Sequence, residues 1–169
     1  MRLRQGLPIV LTVIATFFVV ACAPPPLTRP AAASPTAPRV NAPLWRAPLV
    51  IKKRAGDTVT LTVEIADTPL SQEIGLSGRA QLPADAGMLF VFPTAKLVAF
   101  WMHDTLIPLS IAFVVEGGRI VDIQDMQPRS DDRHSASKPI RYAIEANQGY
   151  FIRQGIGPGD QVDVLALAR

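Results

Sequence analysis

The sequence has one cysteine, two histidines and few aromatic residues, and its first 55 residues contain no acidic side chain. A single cysteine excludes an intramolecular disulfide and a zinc site made of thiolates alone. Residues 56–169 carry 9 basic and 14 acidic groups, which gives this part a net charge of −5. Because a nucleic-acid-binding domain is expected to present a basic face, we expect no nucleic-acid partner. The 169 residues suffice for one domain with appended segments.

The N-terminus has the pattern of a bacterial export signal. Two arginines precede a 15-residue apolar run, Leu7–Ala21, which is short for a membrane span. The run ends in Val-Val-Ala-Cys, which resembles the lipobox of bacterial lipoproteins, with Cys22 as the acylated residue. We therefore expect a signal peptide over 1–21, lipidation of Cys22, and a membrane-anchored protein facing the periplasm or the cell exterior. Ordinary secretion or an uncleaved anchor is the alternative.

A segment rich in proline and alanine follows the cysteine. Residues 24–48 contain eight prolines, six alanines and no acid. Such a composition cannot bury a core and favours an extended, semi-rigid spacer. We therefore expect residues 22–55 to be a lipidated cysteine and linker, and 56–169 to be the folded domain. A proline-rich recognition peptide is the alternative for the linker.

Residues 56–169 have the pattern of a mainly β domain. Thr58–Ile65 alternates between apolar and polar residues, as a half-exposed strand does. Thr68 is placed to cap a short helix that begins at Pro69 and ends near Arg79. Six further segments have strand character: 87–92, 97–105, 109–116, 119–126, 140–147 and 160–167. We expect a compact antiparallel β-sandwich or barrel of about seven strands with one or two short helices.

The dipeptide Gly117-Gly118 predicts a tight hairpin. A two-residue loop at this point places Asp122 opposite Phe113 and Gln124 opposite Ile111. Two polar residues on an otherwise apolar face would indicate a pocket, although a slip of one residue would reverse that assignment.

Four motifs occur between residues 75 and 149: GLSGR at 75–79, GMLFVF at 87–92, FWMHDTLIPLSIAF at 100–113 and RYAIEANQG at 141–149. Together they resemble domain-of-unknown-function family 192, also called uncharacterised protein family 0127. The resemblance covers about residues 57–167, and it implies a compact β-rich domain, often exported, with no assigned biochemical function. The family usually has Asn where this chain has Asp104, and Asp where it has Ser110.

Candidate site residues cluster in these motifs. In an extended 97–105 segment, Trp101, His103 and Thr105 would share one face and form a stacking surface with a titratable edge. The alternative is that Trp101 packs in the core, His103 is solvated, and Asp104 caps a turn.

A second candidate feature is an arginine–carboxylate pair. Glu145 shares a strand face with Arg141, Ala143 and Asn147, and both Arg79 and Glu145 lie in the motifs. A guanidinium group binds a carboxylate through two hydrogen bonds, so an Arg79–Glu145 pair would stabilise the fold or hold a ligand.

These features predict binding of a small molecule, glycan or protein at one partly apolar depression. The predicted site residues are Arg79, Trp101, His103, Asp104, Thr105 and Glu145. The alternatives are a hydrolytic enzyme that uses His103, Asp104 and Glu145, and a purely structural envelope protein. We expect no metal and no cofactor, because the two histidines have none of the spacings typical of metal ligands.

Overall fold

The computed structural model describes residues 44–164, which lie within one compact unit, residues 41–169. The predicted signal peptide, Cys22 and most of the predicted linker lie outside the described residues. The elements are β1 Arg46–Lys52, β2 Thr58–Ala66, α1 Pro69–Ile74, β3 Ala86–Lys96, β4 Ala99–Phe100, β5 Leu109–Val114, β6 Ile120–Met126, β7 His134–Ser135, β8 Ile140–Asn147, α2 Tyr150–Arg153 and β9 Gln161–Val162. Neither helix in this part of the chain is long and apolar enough to cross a membrane.

Seven strands form one curled sheet, a half-barrel in the order β6-β5-β8-β3-β2-β1-β9, and β4 pairs separately with β7. The prediction of a mainly β domain with short helices is confirmed. One strand pair differs from the antiparallel arrangement that we expected, because β2 and β3 are parallel. Parallel neighbours need a crossover connection, and the segment that contains α1 supplies it by returning the chain to the start of β3.

The sheet includes part of the predicted linker. β1 pairs with β2 along its whole length, and Leu49 and Ile51 are fully buried. The domain boundary that we placed at residue 56 is therefore too late. β9 pairs with β1 only at Ile51 and Lys52, so β1 is an edge strand at Pro48. Proline has no backbone N–H group to donate, and an edge strand tolerates that lack.

Each side of the sheet buries its own apolar cluster. One side carries mainly aliphatic residues from β1, β2, β3, β5 and β8 and is closed by Tyr150 and Phe151 of α2. The other side carries Met88, Phe90 and Phe92 of β3 together with side chains from β5 and β8, and it is closed by Leu76 and Met102. The second cluster borders the candidate site.

Two local predictions are confirmed at the level of hydrogen bonds and register. The Ser71 N–H donates to the Thr68 side chain over 3.1 Å, so Thr68 caps α1 as expected, although the helix ends earlier, at Ile74. The hairpin pairs Phe113 with Asp122 and Ile111 with Gln124, as the Gly-Gly loop predicts.

The predicted strand at 97–105 is wrong beyond Phe100. The chain turns there: the Thr105 N–H donates to the Met102 carbonyl over 2.9 Å, and Asp104 has a positive φ of 55°. This left-handed conformation is one that Asp and Asn adopt more readily than most residues. Strand alternation therefore does not apply to Trp101, His103 and Thr105.

Candidate ligand-binding cavity

A cavity of about 290 Å³ opens on the sheet side that carries the aromatic residues of β3. Its interior is formed by buried side chains: Leu76, Phe90, Phe92, Thr105 and Glu145. Its rim is formed by exposed residues of α1 and of the chain around β4, among them Glu73, Ile74, Lys96 and Trp101. The cavity therefore has an apolar interior, one buried carboxyl group and a mixed rim.

Glu145 lies in the middle of β8 and is 5% exposed. Its direct neighbours across the sheet are Met88 on β3 and Ile111 on β5, both fully buried and apolar. Within the described range of the chain, the Glu145 side chain has neither a hydrogen bond nor an ion pair. Burial therefore raises its pKa from the ordinary 4.5 to about 8, so the carboxyl group is mostly protonated at neutral pH.

The aromatic wall is organised around Phe100. The Phe100 ring meets Phe90 and Phe92 edge-on at centroid distances of 5.1 and 6.3 Å, and it meets Phe113 in a tilted contact at 6.0 Å. Edge-to-face contacts of this kind are favourable because the positive ring edge meets the negative ring face. The pairing of Phe100 with His134 in the two-stranded sheet fixes the backbone of this wall.

Two glycines shape the site. Gly75 follows α1 with φ 52° and ψ −132°, a conformation that L side chains rarely adopt, and a Cβ there would lie 3.4 Å from the Phe90 ring. A Cβ on Gly87 would lie 2.4 Å from the carbonyl oxygen of Glu145. Gly87 thus permits the close approach of β3 to β8 at the position of the buried carboxyl group.

Three of the six predicted site residues line the cavity: Trp101, Thr105 and Glu145. Arg79, His103 and Asp104 are not among its lining residues. The cavity also contains residues that the sequence analysis did not select, notably Phe90, Phe92 and Lys96. The continuous apolar run of β3 over residues 88–92 is the available signal for the two phenylalanines, but such a run usually indicates core.

Arg79 pairs with Glu64 and not with Glu145, so that predicted pair is wrong. The Arg79 Nη1 atom donates to Glu64 Oε1 over 2.9 Å, and Nη2 donates to Oε2. Arg46 Nη2 donates to the same carboxylate over 2.7 Å. The hydrogen bond from Arg79 is the main reason why the pKa of Glu64 lies below its ordinary value.

His103 lies in an exposed group outside the cavity. Its ring stacks on Trp101 at a centroid distance of 5.1 Å, its Nδ1 is 2.8 Å from Asp131 and its Nε2 is 3.7 Å from Asp104. The hydrogen bond with Asp131, followed by the charge of Asp104, raises the pKa of His103. His103, Asp104 and Glu145 do not line one cavity, so the geometry does not support the hydrolytic alternative.

The hypothesis of a pocket at Asp122 and Gln124 finds no support in the described residues. Gln124 donates to Asp122 over 2.7 Å and to the Ser135 carbonyl over 3.1 Å, and it contacts His134 Nδ1 at 3.1 Å. These polar groups of β6 therefore bind one another and β7, and they do not line this cavity. No group of three or more His, Cys, Asp or Glu side chains in residues 44–164 is placed to hold a metal ion.

Fold and site together define a β half-barrel domain with an aromatic cavity that encloses one carboxyl group. The family model DUF192, described as "Uncharacterized ACR", matches residues 50–164. The chain therefore belongs to domain-of-unknown-function family 192, as the four motifs predicted.

The solved structures that are similar to this chain include the following two. A protein of Sinorhizobium meliloti, provisionally described as a transcription regulator, is 34% identical with a TM-score of 0.69, over 71% of this chain and 94% of its own. A protein of unknown function from Novosphingobium aromaticivorans is 32% identical with a TM-score of 0.69, over 78% of this chain and 94% of its own. No curated protein matches the chain.

Proposed function

We propose that this domain binds a small molecule in the cavity beside β8, with Glu145 as the polar anchor and the aromatic rings as walls. The observation that carries the proposal is a buried carboxyl group that has no partner in the described chain and that faces a cavity. Burial of an unpaired polar group costs free energy, and a ligand that supplies the missing partner recovers part of that cost. A volume of about 290 Å³ lies near the lower end of the range for small-molecule sites.

The shape of the site favours a small molecule over the other predicted ligands. Its interior is apolar and aromatic, and its single buried polar anchor suits a compact ligand better than a long glycan or a protein segment. The regulator description of one structural neighbour gives no reason to propose DNA binding, because residues 56–169 are acidic overall.

Ligand-observed NMR with small aromatic fragments on the full-length chain tests this proposal. We expect fragments that bind wild type to bind Glu145→Gln differently, and Glu116→Gln, which makes the same change at an exposed glutamate of the hairpin, to behave as wild type. If no fragment binds, or if all fragments bind the three proteins equally, the cavity is not the binding site.

We also propose that the domain is exported and held at a membrane by lipid on Cys22. The basic start, the short apolar run and the Val-Val-Ala-Cys ending support this, and the proline-rich segment after Cys22 suits a spacer. Mass spectrometry of the membrane fraction is expected to find an acylated Cys22 as the first residue. An unmodified Cys22, or a Cys22→Ser protein that stays membrane-bound, would contradict the proposal.

A further inference from the structure

We propose that the cavity accepts an organic cation, a protonated primary amine with an apolar group, whose ammonium group pairs with the carboxylate of Glu145. This inference deepens the proposed function and rests on it. It names the charge of the ligand, which the cavity volume alone does not.

The charges around Glu145 leave a place for one cation. The charged residues that line the cavity are Glu73, Lys96 and Glu145. The Lys96 ammonium group lies 4.5 Å from the centroid of the Phe92 ring and forms no ion pair with Glu145. The neighbouring strands β3 and β5 place the apolar residues Met88 and Ile111 next to Glu145. Arg141 shares its face of β8, but the Arg141 guanidinium group lies 5.7 Å from the Tyr142 ring, forms no ion pair with Glu145 and does not line the cavity.

The other glutamate in this row of the sheet is already neutralised. Glu64 is the neighbour of Met88 on β2, and two guanidinium groups, those of Arg46 and Arg79, bind its carboxylate. Glu73 lies on the exposed rim, so an ammonium group that enters the interior finds its unpaired acidic partner at Glu145 and not at Glu64.

The walls favour a cation over an anion. The face of an aromatic ring attracts cations through its quadrupole, most strongly where water is excluded. Two of the lining rings already bind cations of the chain itself: Lys96 lies over Phe92, and the Arg133 guanidinium group lies 4.2 Å from the Trp101 ring. A ligand carboxylate would instead meet ring faces and the acid of Glu145.

Charge balance determines how the site would accommodate an ammonium group. Without ligand, burial keeps the Glu145 carboxyl group protonated, with a pKa of about 8, so the interior carries no net charge. When the ammonium group binds, the O–H bond of Glu145 breaks and its proton passes to water or buffer, which leaves carboxylate and ammonium as a neutral pair. One proton is released per amine bound, so the association constant rises with pH, by up to about tenfold per unit, until Glu145 ionises without ligand.

Calorimetry with three probes of one shape tests this inference on the full-length chain. The probes are 2-phenylethylamine, 2-phenylethanol and 3-phenylpropanoate, each measured in two buffers of different ionisation enthalpy. We expect the amine to bind most tightly, to release about one proton, and to bind about tenfold more tightly for each unit of pH between about 6 and 7. Glu145→Gln is expected to weaken the amine at least about tenfold and to leave the alcohol unchanged, whereas Glu116→Gln changes neither.

The outcomes separate the inference from the function on which it rests. If the alcohol or the carboxylate binds as tightly as the amine, or if no proton is released, the proposed cation recognition is wrong. The proposal that the cavity binds a small molecule is then unaffected. If none of the three probes binds, the cation is likewise overturned, and the fragment experiment above decides whether the cavity binds ligands at all. Proton release is measured on wild type, so this test does not depend on the folding of Glu145→Gln.

Discussion

Two glutamates in one row of the sheet have opposite surroundings. Glu64 on β2 and Glu145 on β8 are both direct neighbours of Met88 on β3, so their side chains project from the same side. Both residues are buried. The pKa of Glu64 is lowered because Arg79 and Arg46 bind it, whereas burial raises the pKa of Glu145 and no partner offsets that effect. Burial raises the pKa of both carboxyl groups, and only at Glu64 do arginine partners outweigh it, so Glu64 carries the charge.

The difference separates a structural carboxylate from one that is available to a ligand. Glu64 joins β1, β2 and the segment after α1 through its two arginines, and its binding capacity is used within the fold. The carboxyl group of Glu145 forms no hydrogen bond or ion pair within the described chain, and it faces a cavity. A domain with a total stability of only about 5–15 kcal/mol keeps a costly unpaired acid more readily where function uses it.

The largest expected effect is a change in the pH dependence of stability on replacing Glu145. Between pH 4.5 and about 8 the unfolded chain has lost this proton while the folded chain keeps it, so rising pH favours unfolding. Full linkage of one proton changes the unfolding equilibrium by about tenfold per unit of pH. In denaturant titrations, the free energy of unfolding of Glu145→Gln should therefore decline less steeply above about pH 5 than that of wild type. The resulting difference between the two proteins amounts to several kcal/mol near pH 8 as an upper bound.

The matched replacement at Glu116, which is exposed, is the control. It should leave the slope of stability against pH unchanged. A Glu145→Gln protein with the wild-type slope would show that Glu145 ionises in the folded state as easily as in water, and the contrast with Glu64 would be lost.

A smaller effect is expected from removing the partner of Glu64. Arg79→Met leaves Glu64 with Arg46 alone, and loss of a hydrogen-bonded guanidinium should lower the free energy of unfolding by about 2 kcal/mol at neutral pH. The pKa of Glu64 is depressed in the folded state, so its contribution is present above pH 4.5 and is lost as the pH falls through the folded value. The deficit of Arg79→Met, measured by urea unfolding, should therefore shrink in acid.

Arg119→Met, at an exposed position of the hairpin, provides the comparison and should change stability little. An Arg79→Met deficit that is the same at acid and neutral pH would indicate lost packing of the arginine stem and not a lost ion pair.

The sequence predicted those parts of the fold that depend on local chemistry. The period-two alternation of β2 and the cap at Thr68 are local, and so is the Gly-Gly loop that sets the register of Phe113 opposite Asp122. β1 was missed because prolines made its composition look like a linker, although an edge position tolerates Pro48. The turn after Phe100 is not evident from the sequence because Trp101 and Met102 extend the apolar run up to its start.

The site was predictable only in part, because ion pairing is a long-range property. Trp101, Thr105 and Glu145 were selected and line one cavity. Glu64 was assigned to the polar face of β2 with the threonines, and no local pattern indicates that Arg79, fifteen residues later, covers it. The burial and isolation of Glu145 depend on Met88 and Ile111, which adjoin it only when the strands pair.

The smallest expected effect concerns His103, whose ionisable partners are exposed. It extends the comparison of the two buried glutamates to a charged group on the surface. Asp131 is the main cause of the raised pKa of His103, so Asp131→Asn should bring that pKa down towards its ordinary value of 6.5. The charge of Asp104 is the second cause, and Asp104→Asn should produce a smaller decrease in the same direction. NMR titration of the His103 ring measures both, with the exposed Asp132→Asn as a control that leaves the pKa unchanged.

Because His103 has a raised folded pKa, its contribution to stability is present below pH 6.5 and is lost as the pH rises through the folded value. Water and salt screen such an exposed pair, so the melting temperature of Asp131→Asn should match that of wild type on both sides of this range. A clear loss of melting temperature in acid alone would show that the pair between His103 and Asp131 holds the Trp101 turn in place. The rim of the cavity would then depend on pH as its buried acid does, and the contrast between buried and exposed charges would no longer hold.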